Sequence, residues 1–221
     1  MTTLRFNGHG PLTGKRAMLE LIRRQVMDER IVTAMDRVPR DRFLPPVLRH
    51  LAYRDGALPI GYEQTISQPL IVALMTSLLD LRAAARVLEV GTGSGYQAAV
   101  LAELASRVFT VERVPELARS AEATLNELGY RDRVRVHASG NVLGWPDDAP
   151  YDAIVVTCAA PKVPAGLLAQ LADDGRLVIP IGSREEQVLI KVVRAQGTLL
   201  ITRHAGCRFV PLLGPEGWLS D

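Results

Sequence analysis

Apolar residues in this chain recur with a helical period at first and with short, strand-length runs later. From Arg16 onward, Met18, Leu21, Ile22 and Val26 fall on one helical face. Asp28 stands where a capping side chain belongs, and a second apolar face follows in Ile31, Val32, Met35 and Val38 before Pro39 stops it. Pro39–Ile60 is proline-rich and reads as loops with one short helix near Val47–Tyr53. The apolar run after Pro69 predicts a helix to about Leu81. Then the character changes. Strands are expected at Arg86–Val90, Val108–Val111, Val134–His137, Asp152–Thr157 and Gly175–Pro180, with helices over Gly95–Leu104, Pro115–Leu128 and Pro164–Ala172 between them. The run "DAIVVT" has almost no polar face, so its strand should be covered on both sides. Val188–Arg194 and Leu199–Thr202 follow with only Ala195–Thr198 between them, which predicts a hairpin.

Strand–helix alternation implies an α/β fold: a Rossmann-like, doubly wound, mostly parallel sheet with an antiparallel hairpin at one edge. The chain reads as a single domain over 1–221, with an N-terminal helical extension (1–60) and a core (61–221). Residues 1–15 are Gly-rich and polar and are expected to be mobile.

Composition narrows the function. With 221 residues, 48% of them hydrophobic, the chain can bury a full core. The net charge is +2 and there is no dense Lys/Arg block, so no nucleic-acid partner is expected. No apolar run reaches membrane-spanning length, and the first residues lack the apolar core of a signal peptide. No membrane partner is expected, and a cytoplasmic setting is. Cys158 and Cys207 make neither a metal spacing nor a disulfide framework, and His9, His50, His137 and His204 are dispersed, so no metal site is expected. The oligomeric state is left open, with a monomer favoured.

The chemistry concentrates in two stretches. In "VLEVGTGSGYQ", Gly91, Gly93 and Gly95 make a tight strand-to-helix turn. Tyr96 stands where a dinucleotide fingerprint needs its third glycine, and no lysine completes a phosphate loop. Glu89, just before the turn, suits a cationic amine. Glu112, at the tip of the next strand, suits a pair of ribose hydroxyls. Together they ask for a ligand with a ribose and an ammonium group and no phosphates, which S-adenosylmethionine satisfies. In "GYEQTISQPLIVALM", a polar front precedes Pro69. Ser67 can cap the helix there, or it can meet a substrate.

These stretches resemble a family. "LEVGTGSGYQAAVLA" is similar to the first motif of class I methyltransferases. "LPIGYEQTISQPLIVALM", "DERIVTAMDRVPRDRF", "APYDAIVVTCAAPKVPAGLLAQL", "DGRLVIPIG" and "RFVPLLG" resemble, more narrowly, protein-L-isoaspartate O-methyltransferases. The resemblance runs from Arg16 to Gly214. It implies methyl transfer from S-adenosylmethionine to the α-carboxylate of L-isoaspartyl residues in damaged peptides or proteins, leaving S-adenosylhomocysteine. It also implies Ser67 as the active-site residue. Gln68, Glu89, Gly91, Thr92, Gly93, Gly95, Glu112, Asn141 and Val142 are implied at the cofactor, and Thr65, Ile66 and Leu213 at the substrate. Three positions depart from the family pattern. Glu63 stands where glycine is usual, Ser139–Gly140–Asn141 replaces Gly-Asp-Gly, and Leu213 replaces a hydroxyl residue.

Such a reaction needs little activation. A carboxylate with a pKa near 4 is ionised at neutral pH, so alignment matters more than a base. Ser67 need not be a nucleophile, since no elbow motif surrounds it. Arg208 is either a second carboxylate contact or a surface arginine, and Trp145 and Trp218 read as packing or surface groups. Two other functions stay open: a carboxylate methyltransferase dedicated to one maturing peptide, and a binding protein that keeps the cofactor pocket without turnover.

Overall fold

Runs of Val, Ile, Leu and Thr too short for helices become the strands of one seven-stranded sheet in the computed structural model, which describes residues 14–214 and 216–219. The chain begins with α1 (Gly14–Val26) and α2 (Glu29–Arg37), then a small hairpin of β1 (Leu58–Gly61) and β2 (Gln64–Ile66), then α3 (Pro69–Leu79). The main sheet follows as β3 (Arg86–Val90), α4 (Tyr96–Ala102), β4 (Arg107–Glu112), α5 (Pro115–Glu127), β5 (Val134–Ala138), β6 (Tyr151–Val156), α6 (Ala165–Ala169), β7 (Leu171–Gly182), β8 (Gln187–Ala195) and β9 (Thr198–Cys207). The strand order is β5-β4-β3-β6-β7-β8-β9, with β3 to β7 parallel and β8 and β9 antiparallel to their neighbours. Winding runs from β3 out to β5, then resumes at β6 in the other direction. The reversal therefore lies between β3 and β6.

Alternate strand residues serve opposite faces. Val87, Val108, Ala153, Val155 and Val178 join one buried cluster; Leu88, Phe109, Ile154, Val156 and Leu177 join the other. The first cluster also takes in Met18, Ile22, Ile31, Val32 and Met35. The N-terminal helices are thus packed into the core of the sheet through the apolar faces expected for them. Asp28 caps α2, accepting from the Arg30 N–H at 2.9 Å. The edge hairpin turns on Gln196 and Gly197, both with positive φ. The expectation for residues 1–15 falls almost entirely outside the described residues; Gly14 and Lys15 are already helical. No helix among the described residues is long and apolar enough to cross a membrane.

Two regions differ from expectation. Helix α6 stops at Ala169, where Pro164–Ala172 was expected helical. The buried Gln170 side chain is spent elsewhere: its Nε2 donates to the Leu143 carbonyl at 2.8 Å and its Oε1 accepts the Trp145 N–H at 2.9 Å. Strand β7 starts at Leu171, with a bulge that Asp174 enters at φ 59°.

The second difference is the β1–β2 hairpin, in a region expected to be loop. Pro59 and Gly61 disguise β1 in the sequence. Leu58 pairs with Ile66, and the two turn residues, Tyr62 and Glu63, have φ of 53° and 59°. That is the left-handed pair a two-residue hairpin demands, and a non-glycine residue is strained there. Glu63 therefore occupies a position built for glycine. Its replacement, Glu63→Gly, is expected to stabilise the fold by roughly 0.5–1 kcal/mol, a Tm rise of about 1–4 °C by calorimetry. An unchanged or lower Tm would mean that the turn carries no strain.

Candidate active site

Ligands of open α/β sheets bind beyond the carboxyl ends of the strands, where the winding reverses. An open cleft lies there, lined by five of the segments that leave the strands and by the segment after β9. Its walls are Gln64–Ser67 from β2 and the turn after it, Glu89–Ser94 from the end of β3 onward, Glu112–Val114 from the end of β4 onward, Ser139–Gly140 and Val142–Leu143 after β5, and Thr157–Cys158 after β6. The far wall is Val210–Leu213. This last segment is tied to the sheet through Ala159, whose N–H donates to the Val210 carbonyl and whose carbonyl accepts from Leu212.

The glycine loop owes its shape to protein crowding as much as to any ligand. A Cβ on Gly91 would meet Thr157 Oγ1 at 2.5 Å, and that hydroxyl donates to the Gly91 carbonyl at 2.5 Å. A Cβ on Gly95 would press on Leu125 and Ala121 of α5 at 3.2 and 3.3 Å. Both glycines also have positive φ. Gly95 therefore serves helix packing and does not line the cleft. Glu112 holds the loop from the neighbouring strand. Its Oε2 accepts the Gly93 N–H at 2.8 Å and its Oε1 the Val114 N–H at 2.9 Å. Each oxygen keeps a second lone pair, so the carboxylate can still accept from a ligand diol.

Glu89 is fully buried, which is costly for a carboxylate. Its Oε2 lies 2.5 Å from Thr110 Oγ1, itself 2.7 Å from Thr92 Oγ1, and its Oε1 has no partner. Burial, and then the Glu112 charge, push its pKa up to about 8, against the Thr110 hydrogen bond. At neutral pH the carboxyl is mostly protonated. An arriving cation would restore its charge and occupy the orphan oxygen.

Ser67 does not cap α3. The cap position is Gln68, without a side-chain cap bond. Asp55 does the work from outside the segment: its Oδ1 accepts the Leu70 N–H and its Oδ2 the Gln68 Nε2–H, both at 3.0 Å. The Ser67 hydroxyl makes no hydrogen bond among the described residues and lines the cleft. The Ser67 carbonyl accepts from buried Arg40 at 2.7 Å.

The cleft therefore gathers Thr65, Ile66, Ser67, Glu89, Gly91, Thr92, Gly93, Glu112, Val142 and Leu213. The Gln68 side chain is turned to Asp55 and does not line it. Exposed Asn141 also lies outside the lining, and Ser139 and Gly140 stand there instead. Arg208 is exposed and outside it. Trp145 is a packing group, stacked on His137 at 3.8 Å. Sequence reasoning missed Gln97, Arg113, Thr157, Cys158 and Val210–Leu212, which come from four separate places in the chain. The ends of the predicted strands were the available signal for Arg113, Thr157 and Cys158. No lysine or histidine lines the cleft among the described residues.

A family profile described as protein-L-isoaspartate(D-aspartate) O-methyltransferase matches residues 13–217. A protein-L-isoaspartate O-methyltransferase 1 of Syntrophobacter fumaroxidans is 51% identical over 199 residues, covering 90% of this chain and 92% of that one. A protein-L-isoaspartate O-methyltransferase of Rhodopseudomonas palustris is 52% identical over 201 residues, covering 90% and 92%. Among solved structures, a protein-L-isoaspartate O-methyltransferase aligns at TM-score 0.82 and 28% identity, over 92% of this chain and 67% of that one. A Plasmodium falciparum chain solved with S-adenosyl-L-homocysteine shares the fold at TM-score 0.77 and 24% identity, over 90% of this chain and 98% of that one.

The raised Glu89 pKa has a measurable sign. Between about pH 4.5 and pH 8 the folded chain holds a proton that the unfolded chain releases, so Glu89 lowers stability as pH rises through that window and adds nothing further above it. Urea unfolding at several pH values is expected to show a decline on the order of a few kcal/mol. Glu89→Gln, which mimics the protonated carboxyl, should flatten it. A decline that persists in Glu89→Gln would assign it to other groups.

Proposed function

The chain belongs to the protein-L-isoaspartate(D-aspartate) O-methyltransferase family, and we propose how its own residues carry that family's reaction. It is an S-adenosylmethionine-dependent methyltransferase acting on the α-carboxylate of L-isoaspartyl residues, a protein-repair activity. S-adenosylmethionine supplies, when bound, a methyl group on a positively charged sulfur, already electrophilic. One observation carries the assignment of roles: a single cleft joins an unengaged Ser67 hydroxyl to the glycine loop with its two acids, Glu89 and Glu112.

The residues fit the cofactor. The buried, unpartnered Glu89 Oε1 suits its amine. Glu112 keeps lone pairs for ribose hydroxyls while its backbone bonds hold Gly93 in place. Val142, Ser139 and Gly140 offer an apolar side chain and a backbone edge for the base, with no carboxylate.

On the substrate side the chain has to hold, orient and dry an anion. The Ser67 hydroxyl donates to the isoaspartyl carboxylate, and Thr65, Ile66 and Leu213 form the surrounding wall. Leu213, in place of a hydroxyl, makes its side of that wall apolar, which helps keep water from the nucleophile. No proton has to be removed, consistent with the absence of a lysine or histidine in the described lining. The cytoplasmic setting belongs to the same proposal and draws support from two free thiols, Cys158 and Cys207.

The assay is labelled methyl transfer to an isoaspartyl peptide and to its aspartyl twin. Base-labile label is expected on the first alone; label on neither, with the cofactor still bound, would leave a binding protein. Ser67→Ala should lower kcat/KM for the isoaspartyl peptide roughly 10- to 100-fold, the size of a hydrogen bond to a charged group. Its Tm should stay within about a degree, because Asp55 provides the cap. Full turnover in this variant would remove Ser67 from the substrate site. Cofactor affinity by calorimetry should rise with pH up to about 8 and then level, as Glu89 ionises, and Glu89→Gln should abolish the rise. A flat profile in the unaltered chain would separate Glu89 from the cofactor amine.

A further inference from the structure

Arg40 is the only buried arginine or lysine among the described residues, and it has no ion-pair partner there. A buried cation is unfavourable unless its donors are used and its charge is matched. Burial pulls its pKa down from the ordinary arginine value, yet an arginine keeps its proton at neutral pH. A neutral side chain would suit a core position better, so the charge and the fork geometry call for a reason.

Its contacts supply one. Nε donates to the Ala52 carbonyl at 2.8 Å, and Nη2 donates to the Ser67 carbonyl at 2.7 Å. The guanidinium lies over the ring of Tyr96, a cleft residue, with its central carbon 4.7 Å from the ring centroid. Arg40 thus links three pieces of chain: the loop before the β1–β2 hairpin, the Ser67 turn and the first residue of α4. Asp55 grips the same turn from the other end, through the Leu70 N–H and the Gln68 amide.

The carbonyl matters most. A peptide group is planar and trans, so a Ser67 carbonyl held on Arg40 sends the Gln68 N–H the opposite way. Neither the Ser67 nor the Gln68 N–H makes a hydrogen bond among the described residues. A turn free to rotate could present its carbonyl oxygen to an incoming carboxylate, and two acceptors repel. We propose that Arg40 is a positioning residue for substrate binding: it locks the Ser67–Gln68 peptide with its carbonyl turned onto Arg40, so that the Ser67 hydroxyl, which lines the cleft, is what meets the isoaspartyl carboxylate. The inference rests on Ser67 facing the substrate.

The test compares Arg40→Met, Arg40→Lys and Ser67→Ala, with peptide KM, kcat and cofactor Kd measured on the folded fraction of each. Arg40→Met should raise the KM for an isoaspartyl peptide at least tenfold and leave the cofactor Kd within twofold. Arg40→Lys keeps the charge and can reach one carbonyl, so it should recover part of the loss. If Arg40→Met does not fold, Arg40→Lys decides alone, with a KM several-fold above that of the unaltered chain and an unchanged cofactor Kd. An unchanged peptide KM in Arg40→Lys and in any folded Arg40→Met overturns the proposal. So does an equal loss of peptide and cofactor affinity, which would make Arg40 a prop for Tyr96 and α4. An unimpaired Ser67→Ala would instead sink the reading of Ser67 beneath it, whatever the Arg40 variants do.

Discussion

A parallel sheet that winds one way and then the other cannot cover the strand ends where it reverses. The connections after β3 and β6 leave in opposite directions, and the space between them stays open. Everything chemical in this protein is arranged around that gap. The glycine loop leaves β3 there, Glu112 ends β4 beside it, and Thr157 closes in from β6 until Gly91 has no room for a side chain. The N-terminal helices share the core cluster behind the loop, so the segment that carries Ser67 is held by the same packing that builds the sheet.

The site is organised for holding more than for activating. Its buried ionisable groups are few and each is constrained. Glu89 is hidden with one oxygen unpartnered, Glu112 is fastened to two backbone N–H groups, and Arg40 is fastened to two carbonyls. Hydrogen bonds to charged groups are stronger and more directional than neutral ones, which suits a reaction whose nucleophile and electrophile both arrive ready. Under the roles proposed above, the rate depends on how firmly two loops, one for each partner, are kept in register across the cleft.

Much of this was legible in the residues. The pattern predicts β3 with its observed bounds and α3, α5 and β8 to within about two residues, because strong periodicity and Gly or Pro punctuation mark them, whereas β9 runs on to Cys207, five residues past its expected end at Thr202. Asp28 announced itself as a cap because the bond it makes is local. Of the thirteen positions that the family resemblance implies at the site, ten line the cleft, and Gln68, Gly95 and Asn141 do not. The hairpin β1–β2 escaped because Pro59 and Gly61 argue against a strand, and only pairing with Gln64–Ile66 overrides them. Glu63 could be marked as a departure from glycine, but its reason for being costly is a φ of 59°, which no string of letters contains.

The sequence by itself determined the order and type of most elements, the glycine turn, and the acids at the ends of β3 and β4. Those follow from contacts between residues near one another in the chain. What the tertiary structure decided is which groups are engaged and which are free. The residues alone leave Ser67 as either a helix cap or a substrate contact; in the fold Asp55, twelve positions earlier, takes the capping role. Arg40 looked like one more arginine until burial set it against the Ser67 carbonyl. Gln68 and Asn141, implied at the cofactor, lie outside the lining, while Thr157 and Val210–Leu212 form walls. A hydrogen-bonding group can be satisfied by any partner that folding brings within about 3 Å, and distance along the chain places no limit on which partner that is.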